Sequence, residues 1–212
     1  MNHFTYGGLT ASEPAERPSQ RALAKQRTRE KIVGAAKALF AEHGYEGATI
    51  RDIAKAAGMS TGAVFASFTD KADLFTDIAE TEQAELHAAM RAAGEDKAGR
   101  EAILAMLKAA AKRHLASLAL FQAIMSALWT PFLAEKTRRR LDRRPAAALI
   151  IAGVGQEIGD GSGGCVRFIA EMIWDGYLAT LRRAALDGLT PELVNARIRD
   201  QTNTILAGVR RG

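Results

Sequence analysis

Apolar residues recur at spacings of three and four along most of the chain, and this rhythm predicts helices throughout. The first stripe, Ile32, Ala35, Ala36, Leu39 and Phe40, belongs to a helix over 21–43. Gly44 follows at the left-handed position that ends a helix. Tyr45 and Ile50 are placed to fold back on that stripe and close a three-helix unit. Two short helices occupy Thr49 to Lys71, TIRDIAKAAGMSTGAVFASFTDK. Thr49 caps the first of them, and Ile53, Ala54 and Ala57 share its inward face. Gly58 ends it, Met59 fills the turn, and Ser60 or Thr61 caps the second, which turns Val64 and Phe68 inward. Asp70 begins a longer helix through Leu74, Ile78, Leu86 and Met90, with Glu82 as a polar interruption and Gly94 closing it.

Later segments keep the helical period. Ile103, Leu107, Ala111 and Leu115 form one stripe; Leu118, Phe121, Ile124, Met125, Leu128 and Trp129 form another that stops near Pro131. A segment from Phe132 to Ile158 is divided by Pro145, whose ring excludes a helix-interior hydrogen bond. Gly159 to Gly164 reads as a plain loop, without the Lys-Ser/Thr of a phosphate cradle. Val166, Ile169, Ile173, Tyr177 and Leu181 line the next helix, widened by Met172, Trp174 and Leu178. Thr190 and Pro191 open a last helix carrying Val194, Ile198, Ile205 and Val209. The breadth of these last two apolar faces predicts burial against a second copy. Residues 1–20, rich in Gly, Ser, Pro and Glu, are predicted to be a disordered tail.

Composition narrows the function classes. A hydrophobic content of 48% with 25% charge is that of an ordinary soluble protein with ample core. The net charge of +5 and pI near 9.6 are compatible with a nucleic-acid partner. The longest apolar run, Ala146 to Val154, is half the roughly 18 residues a membrane helix needs, and the N-terminus lacks a signal-peptide pattern. A single cysteine, Cys165, excludes an intramolecular disulfide framework and suits the cytoplasm. It reads as a small buried residue, with a redox-sensing thiol as the rarer reading. No metal site and no catalytic site is expected: His3, His43, His87 and His114 form no ligand pair, and nucleophile and dinucleotide motifs are missing. No cofactor is expected.

Helix, short glycine turn and helix is the helix-turn-helix arrangement, whose second helix enters the DNA major groove. The outward face of that second helix is unusual for solvent: Thr61, Gly62, Ala63, Ala66 and Ser67 are all small, where good helix formers would serve better. Small side chains allow backbone to approach base edges and phosphates. With these residues in view, Thr28 to Phe75 resembles the DNA-binding domain of the TetR family of bacterial transcriptional regulators, with caps, turn, aromatic pair and terminal Lys in register.

The resemblance implies an all-α protein: a helix-turn-helix DNA-binding domain over 21–69, then an effector-binding and dimerisation domain over 70–212 whose last two helices pair in a homodimer. It implies a repressor released from an inverted-repeat operator in double-stranded DNA by a small apolar or aromatic effector. Thr61 and Ala63 are then placed at base edges, and Arg51 can donate bidentately to a guanine. Thr49, Ser67 and Lys71 are placed at phosphates, with Ser60 beside them. Phe65 belongs to the same DNA-contacting set but stands where the family usually has Tyr; without a hydroxyl it cannot donate to a phosphate, and packing is its alternative role. The basic start of the first helix (Arg21, Lys25, Arg27, Arg29, Lys31) is either a solvated helix end or a phosphate or minor-groove contact. The run Lys136 to Arg144 reads as a solvated face.

Eight large side chains spread over the later helices, Leu86, Met90, Met106, Phe121, Met125, Trp129, Phe132 and Trp174, either fill a core or line an effector cavity. His87, His114 and Gln122 are the candidate polar contacts. The competing reading is a helical small-molecule-binding or scaffold protein with a vestigial helix-turn-helix. Thr49, Arg51 and Lys71 weigh against it, since a vestigial domain need not keep donors on that face.

Overall fold

The computed structural model describes residues 19–129, 145–159 and 163–209. Residues 1–18 of the expected tail, the basic run Lys136 to Arg144 and Phe132 lie outside them; Ser19 and Gln20, also assigned to the tail, are instead the cap and first residue of α1. Among the described residues every regular element is an α-helix: α1 (Gln20–Gly47), α2 (Ile50–Ala56), α3 (Thr61–Phe65), α4 (Lys71–Gly94), α5 (Gly99–Ala116), α6 (Leu118–Trp129), α7 (Pro145–Ile158), α8 (Gly163–Asp187) and α9 (Pro191–Val209).

Local chemistry sets the ends. Ser19, Thr49, Ser60 and Asp70 each accept a hydrogen bond from an amide of the first turn of α1, α2, α3 and α4 respectively. Gly44 adopts φ 71°, so α1 breaks there and its last residues form a separate turn. Gly58 (φ 67°) makes the α2–α3 turn. Gly94 is the last residue of α4, as expected, but it is helical and buried rather than left-handed, and a Cβ there would have to push aside the flexible end of Met106 on α5.

Packing divides into two cores. The first holds Ile32, Ala36 and Phe40 of α1, Ile53 and Ala54 of α2, Val64, Phe68, and Leu74, Phe75 and Ile78 of α4. Three aromatic rings knit its centre: Phe75 meets Phe40 edge-on at 5.5 Å and Tyr45 at 4.7 Å. Leu120, Ala123 and Ala127 of α6 complete it. A boundary at residues 69 and 70 thus divides the sequence and not the packing, and the α6 stripe expected to face one way is split. Leu118 and Phe121 turn instead to the second core, built from α4, α5, α7, α8 and α9 around Met90, Leu107, Ile150, Ile173, Tyr177 and Leu181.

Ile173 and Ile198, expected in core or interface, are 2% and 4% exposed within the single chain and so belong to its own core. Cys165, expected to be buried, is exposed: it sits in the first turn of α8 beside the inward-facing Val166, which takes the buried position. No helix among the described residues is long and apolar enough to cross a membrane.

Candidate nucleic-acid interface

α3 is held by one buried side chain, Val64, and by the Phe68 ring just beyond it. Everything else on it is turned outward: Thr61, Gly62, Phe65 and Ala66 are exposed, and Ala63 and Ser67 are partly so. Phe65 does not take the alternative role of packing. It is 54% exposed, because Val64 and Phe68 already occupy the inward positions four residues apart. A large apolar ring thus stands among small residues on the face offered to a partner.

The expected polar residues divide into committed and free. Ser60 Oγ accepts from the Ala63 amide at 3.2 Å. Thr49 Oγ1 accepts from the Asp52 amide at 3.2 Å and donates to the Asp52 carboxylate at 2.6 Å, so its hydroxyl is spent on the cap. Arg51, in the first turn of α2, is exposed and has no carboxylate partner among the described residues. Lys71 has intrachain partners that the sequence did not announce. Its Nζ donates to the carbonyls of Tyr45 (2.9 Å) and Ala48 (3.2 Å) and lies 4.4 Å from the centre of the Tyr45 ring. The carbonyls left open where α1 breaks at Gly44 need a donor, and Lys71 supplies it. These contacts fasten the α1–α2 link to α4. Lys71→Met should therefore lower unfolding stability by about 1–2 kcal/mol, read by thermal melting. An unchanged melting temperature with weakened DNA binding would restore the phosphate role as the main one.

Arg29 is the residue that helical periodicity alone did not single out. Its guanidinium donates to the Ser67 carbonyl at 3.3 Å, pairs with Asp77 and covers the Phe68 ring at 4.2 Å. One side chain thus ties α1 to the end of α3 and to α4, and fixes the angle at which α3 is presented.

A second ionic cluster joins this unit to the rest. Glu82 of α4 accepts from Lys37 of α1 (2.6 Å) and Arg113 of α5 (3.0 Å), and Arg113 also pairs with Glu85. Burial pushes the Glu82 carboxyl up, but Lys37 and Arg113 outweigh it and hold the group below its usual value. Beside Arg113, His114 shares a 2.5 Å hydrogen bond with the Tyr177 hydroxyl. Its ring lies 4.4 Å from Phe121, while Trp174 stacks on Tyr177 at 4.7 Å. Burial, with Arg113 adding to it, pushes the His114 pKa down to about 4; burial also raises that of Tyr177. Both groups are therefore neutral near pH 7.

The expected cavity residues have mixed positions. Leu86 and Met90 are buried in the second core, and Met106, Phe121 and Trp174 pack against it. Met125 is half-buried and joins neither core among the described residues. The side chain of Trp129 lies outside the description. His87 is buried, and its Nε2 has no hydrogen-bond partner among the described residues; burial, reinforced by Arg91, lowers its pKa. Gln122 is exposed. Among the described residues no group of His, Cys, Asp and Glu could hold a metal ion.

Capped short helices around a glycine turn, a small-residue outer face and an all-helical body define a helix-turn-helix protein. Residues 32–78 match the family described as bacterial regulatory proteins, tetR family. The chain is 46% identical over 59 residues to the HTH-type transcriptional repressor AcnR of Corynebacterium glutamicum, a match covering 28% of this chain and 31% of that protein. It is 39% identical over 61 residues to the HTH-type transcriptional regulator AcrR of Shigella flexneri, covering 29% and 28%. The chain thus aligns with about a third of the length of these relatives. Whole-chain likeness appears in the fold: a protein from Pseudomonas aeruginosa PAO1 superposes with a TM-score of 0.71 at 19% identity, over 88% of this chain and 93% of that one. The fatty acid degradation regulator FadR from Bacillus halodurans superposes at 0.67 and 19% identity, over 86% and 96%.

Proposed function

We propose that this protein is a DNA-binding transcriptional regulator, a repressor that occupies an inverted-repeat operator as a homodimer and leaves it when a small apolar or aromatic effector binds. The observation that carries the reading is α3: one buried residue, Val64, and an outer face with little to hinder approach to base edges. Thr61 and Ala63 meet base edges, Arg51 reads a guanine, and Ser67 meets a phosphate. Two copies set their α3 helices one helical turn apart, about 34–36 Å, or a multiple of it.

Support for an effector comes from the second core. The His87 Nε2, buried without a partner among the described residues, calls for a water or a ligand group to bond it. α4 carries Lys71 at one end and Leu86, His87 and Met90 towards the other, so a ligand that shifts α4 also shifts the fastening of α1 and α2. Glu82, with ion pairs to α1 and α5, carries the same displacement sideways. Ligand and DNA then oppose each other by the same factor, typically about 5–150-fold.

Fluorescence anisotropy against DNA upstream of the protein's own coding region tests the first half of the reading, at stated salt. Saturable, sequence-preferring binding is expected; equal, weak affinity for that DNA and for scrambled duplex would favour the vestigial alternative. Arg51→Ala should cost about 1–3 kcal/mol and relax preference at one base position. Unaltered affinity and preference would remove Arg51 from base reading.

A further inference from the structure

We propose that the first two turns of α1 are a second DNA-contacting arm, in which Arg21 and Lys25 bind phosphates outside the half-site read by α3. The inference rests on the DNA-binding reading above. Residues 20–27 are all exposed, and the first buried residue of α1 is Ile32. Two helical turns therefore project beyond the first core, capped by Ser19 and carrying no packing of their own. Residues 20–31 hold five cations and a single acid, Glu30, in a chain whose whole net charge is +5. Among the described residues Arg21, Lys25, Arg27 and Lys31 have no ion-pair partner, whereas Arg29 is committed to Asp77 and Ser67. A helix end kept only soluble would mix both signs of charge.

The stripe that these residues occupy decides the direction. Arg21, Lys25, Arg29, Ile32, Ala36 and Phe40 follow at spacings of four, four, three, four and four, so the cations extend the core-facing side of α1. On that side Arg29 reaches the carbonyl of Ser67, directly after α3. At 1.5 Å per residue, Lys25 and Arg21 lie about 6 and 12 Å further along the axis. They overhang the end of α3 on the side where it is held, within reach of a duplex lying against α3. Arg27 and Lys31 project from the opposite side.

Counterion release measures such contacts. The slope of log affinity against log salt falls by about 0.9 for each phosphate contact removed from duplex DNA. Arg21→Gln with Lys25→Gln, in the full chain, should flatten the slope by about 3–4 for a dimer. The control, Arg27→Gln with Lys31→Gln, removes the same charge from the other side and should change the slope by less than about 1. The probe is a duplex that the wild type selects from a random pool; both variants keep the wild-type melting temperature because neither touches a core. A duplex trimmed to the outer edges of the half-sites should abolish the difference between wild type and the first variant. Equal slopes for both variants, or no change in the first, would overturn the arm. If the wild type selects no duplex, the regulator reading itself fails instead.

Discussion

In the proposed homodimer, Met172→Glu combined with Leu193→Glu should yield a folded monomer and weaken operator binding by about 10²–10⁴-fold. The magnitude is what is lost when two linked binding events become independent. The positions follow from what α8 and α9 leave uncovered. Phe168, Met172, Leu186 and Leu193, 63%, 42%, 68% and 56% exposed, are all on these two helices, and other exposed large apolar residues among those described are Leu23 and Phe65. Between the helices runs an open groove of about 650 Å³ lined by Gly176, Ala179, Thr180, Leu193, Ala196 and Arg197. A Cβ on Gly176 would collide with Gln201, so α8 and α9 are already in close contact beneath it. Carboxylates at Met172 and Leu193 would stay solvated in the monomer and be buried unpaired in a dimer. Sedimentation velocity at micromolar concentration reads the first effect and anisotropy the second. A double variant that still sediments as the wild-type dimer would move the interface away from these helices. Substituting Ile173 or Ile198 would answer a different question, since both lie inside the single chain.

Phe40→Ala should lower the unfolding free energy by about 3–5 kcal/mol, the usual cost of emptying a buried aromatic site. Phe40 is fully buried, with Phe75 edge-on at 5.5 Å and Tyr45 at 6.0 Å. Neither neighbour can collapse into the space easily, because Tyr45 is held under Lys71 and Phe75 is part of α4. Against a typical total stability of about 5–15 kcal/mol the loss is about a fifth or more. For a chain of this size the melting temperature should fall by about 6–20 °C. Calorimetry should show one shifted transition, because α4 belongs to both cores. A change below about 1 kcal/mol would mean that the first core tolerates a void, and the packing described here would be wrong.

Much of this architecture was legible in the chain because its signals are local. A cap needs an oxygen within reach of amides two or three residues on, so Thr49 could be read as a cap from sequence alone, the next cap narrowed to Ser60 or Thr61, and a helix start placed at Asp70. Gly44 and Gly58 were legible for the same reason, as places where a left-handed residue was wanted. Features that depend on a distant partner were not. Nothing near Gly94 announces the Met106 side chain, and nothing near Lys71 announces the open carbonyls of Tyr45 and Ala48. α6 is the instructive case: its apolar residues keep helical spacing, yet Leu120 and Ala123 face one core while Phe121 faces the other. Periodicity shows that a helix has an apolar side; it does not say how many bodies share that side. The small outer face of α3 was visible from composition, while the exposure of Phe65 followed only once Val64 and Phe68 were seen to fill the inward positions.

The shared α6 bears on how this protein can be re-engineered. Exchange of reading heads between regulators treats the N-terminal segment as a cassette, cut somewhere along α4. Here a cassette ending at Gly94 would arrive without Leu120, Ala123 and Ala127, and the flank of α1 that they cover would meet whatever the host body offers. A graft that keeps function must carry the matching side of α6 with it, or rebuild that side on the host: the transferable part is discontinuous in the gene.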